Sequence, residues 1–150
     1  MRNYSSKKIA KIINESINEN EWFVEAMFLG GDVFNSINKT KNKVIVTPNK
    51  NVANTIRLFQ KANMHKDVIV VNQPFNKLIL MGKTFLYCDL KGNEINHEFW
   101  TWCDEMINLG HKILINNRHI INNQNYIKIW NDDENYLYIN INQIPYFNLC

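Results

Sequence analysis

The stretch Lys83–Asn116, KTFLYCDLKGNEINHEFWTWCDEMINLGHKILIN, changes its hydrophobic period twice. Thr84–Cys88 is a short aromatic and apolar run that suits a buried strand. Asp89 stands at the end of that strand, and Leu90–Asn96 is a polar loop carrying Gly92. From Ile95 the apolar residues fall at helical spacing, through Phe99, Trp102, Cys103, Met106 and Ile107. Asn96 is placed to cap this helix, because its side-chain oxygen can accept from the first unpaired backbone N–H groups, and Phe99 and Trp100 open the buried face. Gly110 ends the helix through a left-handed turn, and Lys112–Asn116 starts a second strand. Strand, helix and strand in this order form a βαβ unit, which implies parallel strands with a right-handed crossover. In open α/β sheets the ligand crevice lies beyond the carboxyl ends of the strands, so Asp89 stands where such proteins do their chemistry.

The same alternation extends on both sides. Ser5–Asn18 carries Ile9, Ile12, Ile13 and Ile17 at helical spacing, with Ser5 or Ser6 as its cap. Glu21–Phe28 reads as the first strand and ends at Gly30-Gly31; Asp32–Ile37 starts a short helix. Lys43–Thr47 is a β-branched strand closed by Pro48, Lys50–Ala62 a helix, and Asp67–Asn72 a third strand closed by Pro74. Beyond the central unit, Asn122–Asn125 is a loop. Tyr126–Trp130 and Tyr136–Ile141 alternate as an antiparallel pair at one sheet edge. With no internal repeat and no linker, the 150 residues read as one domain, a three-layer α/β sandwich with a mostly parallel sheet and an antiparallel C-terminal edge.

Composition bounds the partners. A hydrophobic share of 45% and an aromatic share of 12% support a folded core. No apolar run approaches the roughly 20 residues that span a bilayer, and the polar N-terminus has no signal-peptide core, so the expected place is the cytoplasm of a cell or of an infected host, or a virion. The net charge of +3 permits nucleic-acid contact without demanding it. Cys88, Cys103 and Cys150 are far apart and form no CxxC pair, which reads as reduced thiols and argues against a metal site. Abundant Asn, Ile and Lys read as the imprint of an AT-rich genome such as that of a phage, a virus or an endosymbiont.

Four segments then carry a family resemblance. Glu25–Phe34, EAMFLGGDVF, is similar to a cofactor loop of the form E-P-F-x-G-G-G-S-V-F. Val44–Ile56, VIVTPNKNVANTI, resembles a second strand with N-D-x-N-x-x-L-I. Phe85–Asp89, FLYCD, resembles the strand leading into D-P-P-Y, and His97–Ile115 the helix and strand that follow it, with E-E-F-W-x-W. Together, over roughly Lys8 to Trp130, they resemble the Dam-type adenine-specific DNA methyltransferases. The resemblance implies a Rossmann-like methyltransferase fold, S-adenosylmethionine as donor, Asp89 as the catalytic acid facing a flipped adenine, and Glu25, Gly30 and Gly31 as cofactor-binding residues.

The departures concentrate at that site. The catalytic motif reads Asp89-Leu90-Lys91-Gly92, with no proline and no stacking tyrosine. In the cofactor loop Ala26, Met27 and Leu29 replace the proline, the phenylalanine and one glycine, and Leu29 obstructs close backbone approach. The acid for the cofactor's ribose falls at Pro48, and the acid near its adenine falls in Asn72-Gln73-Pro74. Each lost hydrogen bond weakens a polar cofactor by about 1–3 kcal/mol. Gln73–Lys83 leaves eleven residues where the family inserts a DNA-recognition domain.

Asp89, Glu25, Gly30 and Gly31 are therefore vestigial candidates on a catalytically inactive scaffold, with no cofactor expected and a protein partner or self-association as its role. The alternatives are an active S-adenosylmethionine-dependent adenine methyltransferase acting on DNA and a non-specific nucleic-acid binder. At single residues, Asp89 is either an amine-binding acid or a strand-end loop cap, and Gly30-Gly31 either lines a crevice or makes a tight turn. Trp102 faces the core and Trp100 is placed for a surface contact. Lys39, Lys41, Lys43, Lys50 and Lys7-Lys8 form a basic face or a solvated surface. His65, His97, His111 and His119 have no ligand spacing and no catalytic role.

Overall fold

The computed structural model describes residues 2–28, 30–92 and 94–149. In chain order the regular elements are α1 (Arg2–Ser16), β1 (Trp22–Glu25), α2 (Asp32–Asn35), β2 (Lys43–Val46), α3 (Lys50–Lys61) and β3 (Ile69–Val71). Then come β4 (Thr84–Asp89), α4 (His97–Asn108), β5 (Lys112–Asn117), β6 (Tyr126–Asn131) and β7 (Tyr136–Asn140). The strands make one sheet in the order β3-β2-β1-β4-β5-β7-β6. The pairs among β1 to β5 are parallel, and β7 runs antiparallel to both β5 and β6. The expected sandwich with one antiparallel edge is present.

The apolar run of β4 follows from burial on both faces, which a sheet covered by helices on each side requires. Phe85 and Tyr87 join Ile9, Ile13, Phe23, Phe34, Ile45 and Leu114 beneath α1, α2 and α3. Leu86 and Cys88 join Val24, Val44, Ile113, Ile115 and, from α4, Phe99, Trp102 and Cys103. Successive side chains thus serve opposite cores, as the two-residue strand period dictates. Each fully buried Phe or Leu in these layers contributes about 1.5–3 kcal/mol.

The helix of the central unit forms as its spacing predicts. The Asn96 side chain accepts from Phe99 N at 2.9 Å, and Gly110 sits at φ +89, where a side chain would be strained and would run into the Lys83 ammonium. Lys83 Nζ in turn donates to Leu109 O at 3.1 Å, which satisfies a helix-end carbonyl. Lys112 Nζ pairs with Glu21 at 3.0 Å and donates to Ser16 O, tying the end of α1 to the sheet. Cys88 and Cys103 are buried and reduced; Cys150 lies outside the described residues.

Several boundaries differ from the sequence expectation. Helix α1 begins at Arg2, so Ser5 and Ser6 lie inside it and cap nothing; the Ser5 hydroxyl instead donates to the Asp132 carboxylate. Strand β1 stops at Glu25; Ala26 N then bonds Tyr87 O and Phe28 N bonds Val46 O, leaving Ala26 and Phe28 buried and Met27 half-buried in a turn. Asp89 does end β4, as expected, and is paired there with Asn116. The 3-10 helix Ile141–Tyr146 replaces the end of the last expected strand. It forms because Gln143 turns inward, accepting from Ile113 N at 3.0 Å and donating to His111 O at 2.6 Å, and so completes the start of β5 where β7 does not reach. Among the described residues no helix is long and apolar enough to cross a membrane.

Candidate functional site

Glu25, Asp89 and Asn116 all end up at the carboxyl edge of the sheet. The register sets Glu25 beside Tyr87 and Asp89 beside Asn116. The strand alternation that sends Phe23, Tyr87 and Leu114 toward α1 and α2 sends Glu25, Asp89 and Asn116 the same way. There they line a polar crevice of about 150 Å³, closed by Ser5 and Ser6 of α1 and by Gly30 and Gly31, with Lys91, Arg118 and Glu134 at its margin.

Its electrostatics are set by burial. Glu25 is 4% exposed, and its carboxyl is pushed up from 4.5 to about 8, first by burial and then by the Asp89 charge, against the pull of Lys91 and Lys43. The Tyr87 hydroxyl is raised well above its usual range by burial, with Asp89 and Glu25 adding to the shift. Asn116 Nδ2 donates to Tyr87 Oη at 3.2 Å and to Asn135 Oδ1 at 2.8 Å, and Asn135 is held by Asp132 at 3.0 Å. Asn116 Oδ1 is buried and meets no donor among the described residues. Lys91 Nζ lies 3.8 Å from Asp89 Oδ2, with the two side chains 41% and 29% exposed, so solvent screens most of that attraction.

A second hollow, of about 330 Å³, opens above the ends of β1, β2 and β3 and shares Asp89 and Lys91 with the first. Its walls are Met27, Phe28, Pro48, Pro74 and Phe75, with Glu94 at the rim. The polar side chains nearby bond the backbone. The Asn49 side chain caps α3, accepting from Asn51 N at 2.9 Å and Val52 N at 3.2 Å. Thr47 Oγ1 accepts from Asn49 N, and Asn72 Nδ2 donates to Thr47 O at 3.0 Å, which bridges the ends of β2 and β3. Phe75 packs edge-on against Trp102 at 4.8 Å and Phe99 at 5.9 Å. No carboxylate stands at the end of β2 or β3, so the residues present do not fit the ribose and adenine of the donor that the resemblance implies.

The sequence candidates divide as follows. Asp89, Glu25, Gly30 and Gly31 do come together around one crevice. Glu94 also caps the loop after Asp89, accepting from Lys91 N and Gly92 N. Gly31 caps α2 with φ −175, an extended conformation open to any residue, and Gly30 faces open space. Leu90, which follows Asp89, is fully buried in the α4-side core. Leu29, expected to obstruct the loop, lies outside the described residues.

Trp102 is buried as expected, and Trp100 is half-buried, its ring packing on Tyr126 at 4.7 Å and on Phe99 at 5.3 Å. Lys43 leaves the expected basic face: its ammonium donates to Phe34 O at 2.5 Å and Ile37 O at 3.1 Å and lies over the Phe34 ring. Burial lowers it from 10.5 to about 8. His111 is structural, its Nδ1 accepting from Thr84 N at 3.2 Å. Among the described residues no group of His, Cys, Asp and Glu has metal-binding geometry. Sequence reasoning missed Tyr87 and Asn116; the two-residue period counted back from Asp89 and along β5 would have placed both in the crevice.

No family model matches the chain, and no curated protein matches it in sequence. Solved structures match it in shape. An rRNA methylase from Streptococcus thermophilus superposes with a TM-score of 0.62 at 9% identity, covering 87% of this chain and 92% of that one. A Streptococcus mutans protein provisionally assigned as a methyltransferase, solved in complex with SAH, gives 0.60 at 10% identity, covering 88% and 94%. A Haemophilus influenzae protein provisionally assigned as a methylase gives 0.59 at 13% identity, covering 89% and 87%. At such identities the likeness is one of architecture: the chain has the Rossmann-like fold of methyltransferases, with the same helix-flanked, mostly parallel sheet.

Proposed function

We propose that this chain is a methyltransferase-fold binding module that no longer transfers methyl groups, its role being to hold a protein partner or a second copy of itself, for example in a phage or viral assembly. The observation that carries the reading is the state of the ends of β2 and β3. The ribose position is Pro48, and the asparagines beside it and at the end of β3 bond the fold: Asn49 Oδ1 caps α3 and Asn72 Nδ2 bridges the two strands. The wall above them is proline and phenylalanine. A cofactor whose ribose hydroxyls meet apolar surface loses about 1–3 kcal/mol for each unmade hydrogen bond, so two or three such losses remove several orders of magnitude in affinity. Isothermal titration with S-adenosylmethionine and S-adenosylhomocysteine tests this directly. The reading expects no saturable heat up to millimolar ligand, and micromolar binding of either compound would overturn it.

One observation favours a second reading, an S-adenosylmethionine-dependent methyltransferase acting on a nucleic-acid amine. The crevice holding Glu25, Asp89, Gly30 and Gly31 shares Asp89 and Lys91 with the larger hollow, so an acid stands between two cavities. The similar Streptococcus mutans structure holds SAH, and the Streptococcus thermophilus neighbour is an rRNA methylase, so RNA belongs beside DNA as acceptor. Transfer of tritiated methyl to AT-rich DNA or to RNA, lost on Asp89→Ala, would establish this reading. Absence of transfer to both would exclude it.

A further inference from the structure

The crevice at the ends of β1, β4 and β5 reverses the charge of the chain. The sequence carries 17 basic and 14 acidic residues, yet Glu25, Asp32, Asp89 and Glu134 line this one space against Lys91 and Arg118. Two of its polar groups are buried and unanswered. The Glu25 side chain makes no hydrogen bond among the described residues, although the residue is nine-tenths and more buried. Asn116 is 3% exposed; its amide nitrogen is spent on Tyr87 Oη and Asn135 Oδ1, and its oxygen meets no donor among the described residues. Both side chains line the crevice, so a donor for them has to come from inside it.

Three features define that donor. A volume of about 150 Å³ lies below the roughly 300–1,000 Å³ of sites that enclose a whole small molecule, so a head group of a few heavy atoms enters and a nucleoside does not. The local excess of acid favours a cation, because a buried carboxyl ionises only beside a positive charge. The acceptors are also spread out. Glu25 comes from β1, Asp89 from β4 and Asn116 from β5, three neighbouring strands about 4.8 Å apart. They do not converge on a point, since among the described residues no group of His, Cys, Asp and Glu has metal-binding geometry. A metal ion or a compact ammonium needs convergence; a guanidinium spreads five N–H donors over a plane and is more weakly hydrated.

We propose that this crevice binds a guanidinium group, presented as an arginine side chain by the protein partner, with Glu25 and Asp89 as its carboxylate acceptors and Asn116 Oδ1 as its neutral one. This names the ligand chemistry of the binding role proposed above and rests on that reading. Binding moves a proton. Burial, Asp89 and Asp32 hold Glu25 protonated until about pH 8, against Lys91 and Lys43, and the entering cation drives that proton out to solvent. The other titratable groups lining the crevice are Tyr87, Glu134 and Arg118.

The test is NMR titration of the full chain with methylguanidinium, against urea as an uncharged planar counterpart and tetramethylammonium as a cation without N–H donors. The expected result is saturable shifts of Gly30, Gly31 and the Asn116 side-chain amide at millimolar methylguanidinium, the scale that so few heavy atoms allow, with both counterparts at least about tenfold weaker. Affinity should rise at least about tenfold from pH 6 to pH 8, and Glu25→Gln should abolish that rise and weaken binding at least about tenfold at pH 8. N-acetylarginine amide should bind at least as tightly as methylguanidinium. No saturable shift up to about 100 mM, shifts outside the crevice, equal binding of either counterpart, a flat pH response, undiminished binding by Glu25→Gln, or exclusion of the blocked arginine would each overturn the proposal. Micromolar binding of S-adenosylmethionine in its own titration would overturn the binding-module reading, and with it the arginine source, while the methylguanidinium arms still decide the site.

Discussion

Replacing Glu25 by glutamine should stabilise the protein, and by an amount that grows with pH. Unfolded, this carboxyl loses its proton near pH 4.5; in the fold, burial and the neighbouring Asp89 hold the proton until about pH 8. Between those values the folded chain binds a proton that the unfolded chain has released, so rising pH favours unfolding throughout the window. The separation of about 3.5 pH units, at about 1.4 kcal/mol each, sets an upper bound near 5 kcal/mol by pH 8. That is a large part of the roughly 5–15 kcal/mol that holds a domain together. Glutamine keeps the shape and cannot ionise. The variant should therefore match wild type near pH 5 and exceed it by several kcal/mol at pH 8.

Urea unfolding followed by tryptophan fluorescence at pH 5, 6, 7 and 8 gives the comparison. His111, lowered chiefly by burial, makes both proteins more stable as pH rises past its titration, and it cancels in the difference. Lys43, lowered to about 8, acts with the opposite sign to Glu25, since its burial penalty is relieved as it deprotonates, but only above the window. A gap between variant and wild type that stays constant within about 0.5 kcal/mol from pH 5 to 8, or a variant less stable at pH 8, would refute the assignment of Glu25 as a buried, neutral acid.

Two further substitutions test the packing around the site. Asn49→Ala removes the cap of α3 and should cost about 1 kcal/mol in urea unfolding; no loss would mean that the side chain is not committed to the helix and is available to a ligand. Gln143→Ala leaves Ile113 N–H and His111 C=O unpaired in a buried place and should cost about 1–3 kcal/mol for each, with faster hydrogen exchange at Ile113; protection unchanged at Ile113 would show that water replaces the amide.

The sheet was legible because its signals are local and redundant. Val24, Val46, Leu86 and Ile113 announce strands by composition, and Asn96 and Gly110 mark both ends of α4 by chemistry that needs no tertiary partner. The antiparallel edge was legible for the same reason, through the alternation in Tyr126–Trp130. The missed features depend on distant partners. Ser5 resembles a cap in sequence, and only its hydroxyl bond to Asp132 shows it as a mid-helix anchor. Gln143 sits in a polar-looking tail, and its inward turn is dictated by unpaired groups of β5 about thirty residues away. Lys43 opens a strand in a lysine-rich stretch, yet the carbonyls of Phe34 and Ile37 pull its ammonium under α2. For the candidate site, strand ends gave the positions of Glu25 and Asp89, but whether neighbouring asparagines point outward to a ligand or inward to the backbone is a rotamer choice that spacing does not encode.

That choice sets up a tension that calorimetry and the Glu25 titration resolve together. The side chains at the ends of β2 and β3 are spent on the fold itself, which argues that nothing polar is gripped there. Glu25 argues the other way, because a buried carboxyl held at about 8 beside Asp89 weakens the fold and makes no contribution to either core. The same crevice also carries an Asn116 oxygen that meets no donor among the described residues. If Glu25→Gln stabilises the chain as predicted while S-adenosylmethionine and its demethylated product fail to bind, the acid is a stability cost without a cofactor to offset it. If the donor binds to wild type and the substitution weakens that binding, the buried proton belongs to a working site, and the enzyme reading displaces the scaffold.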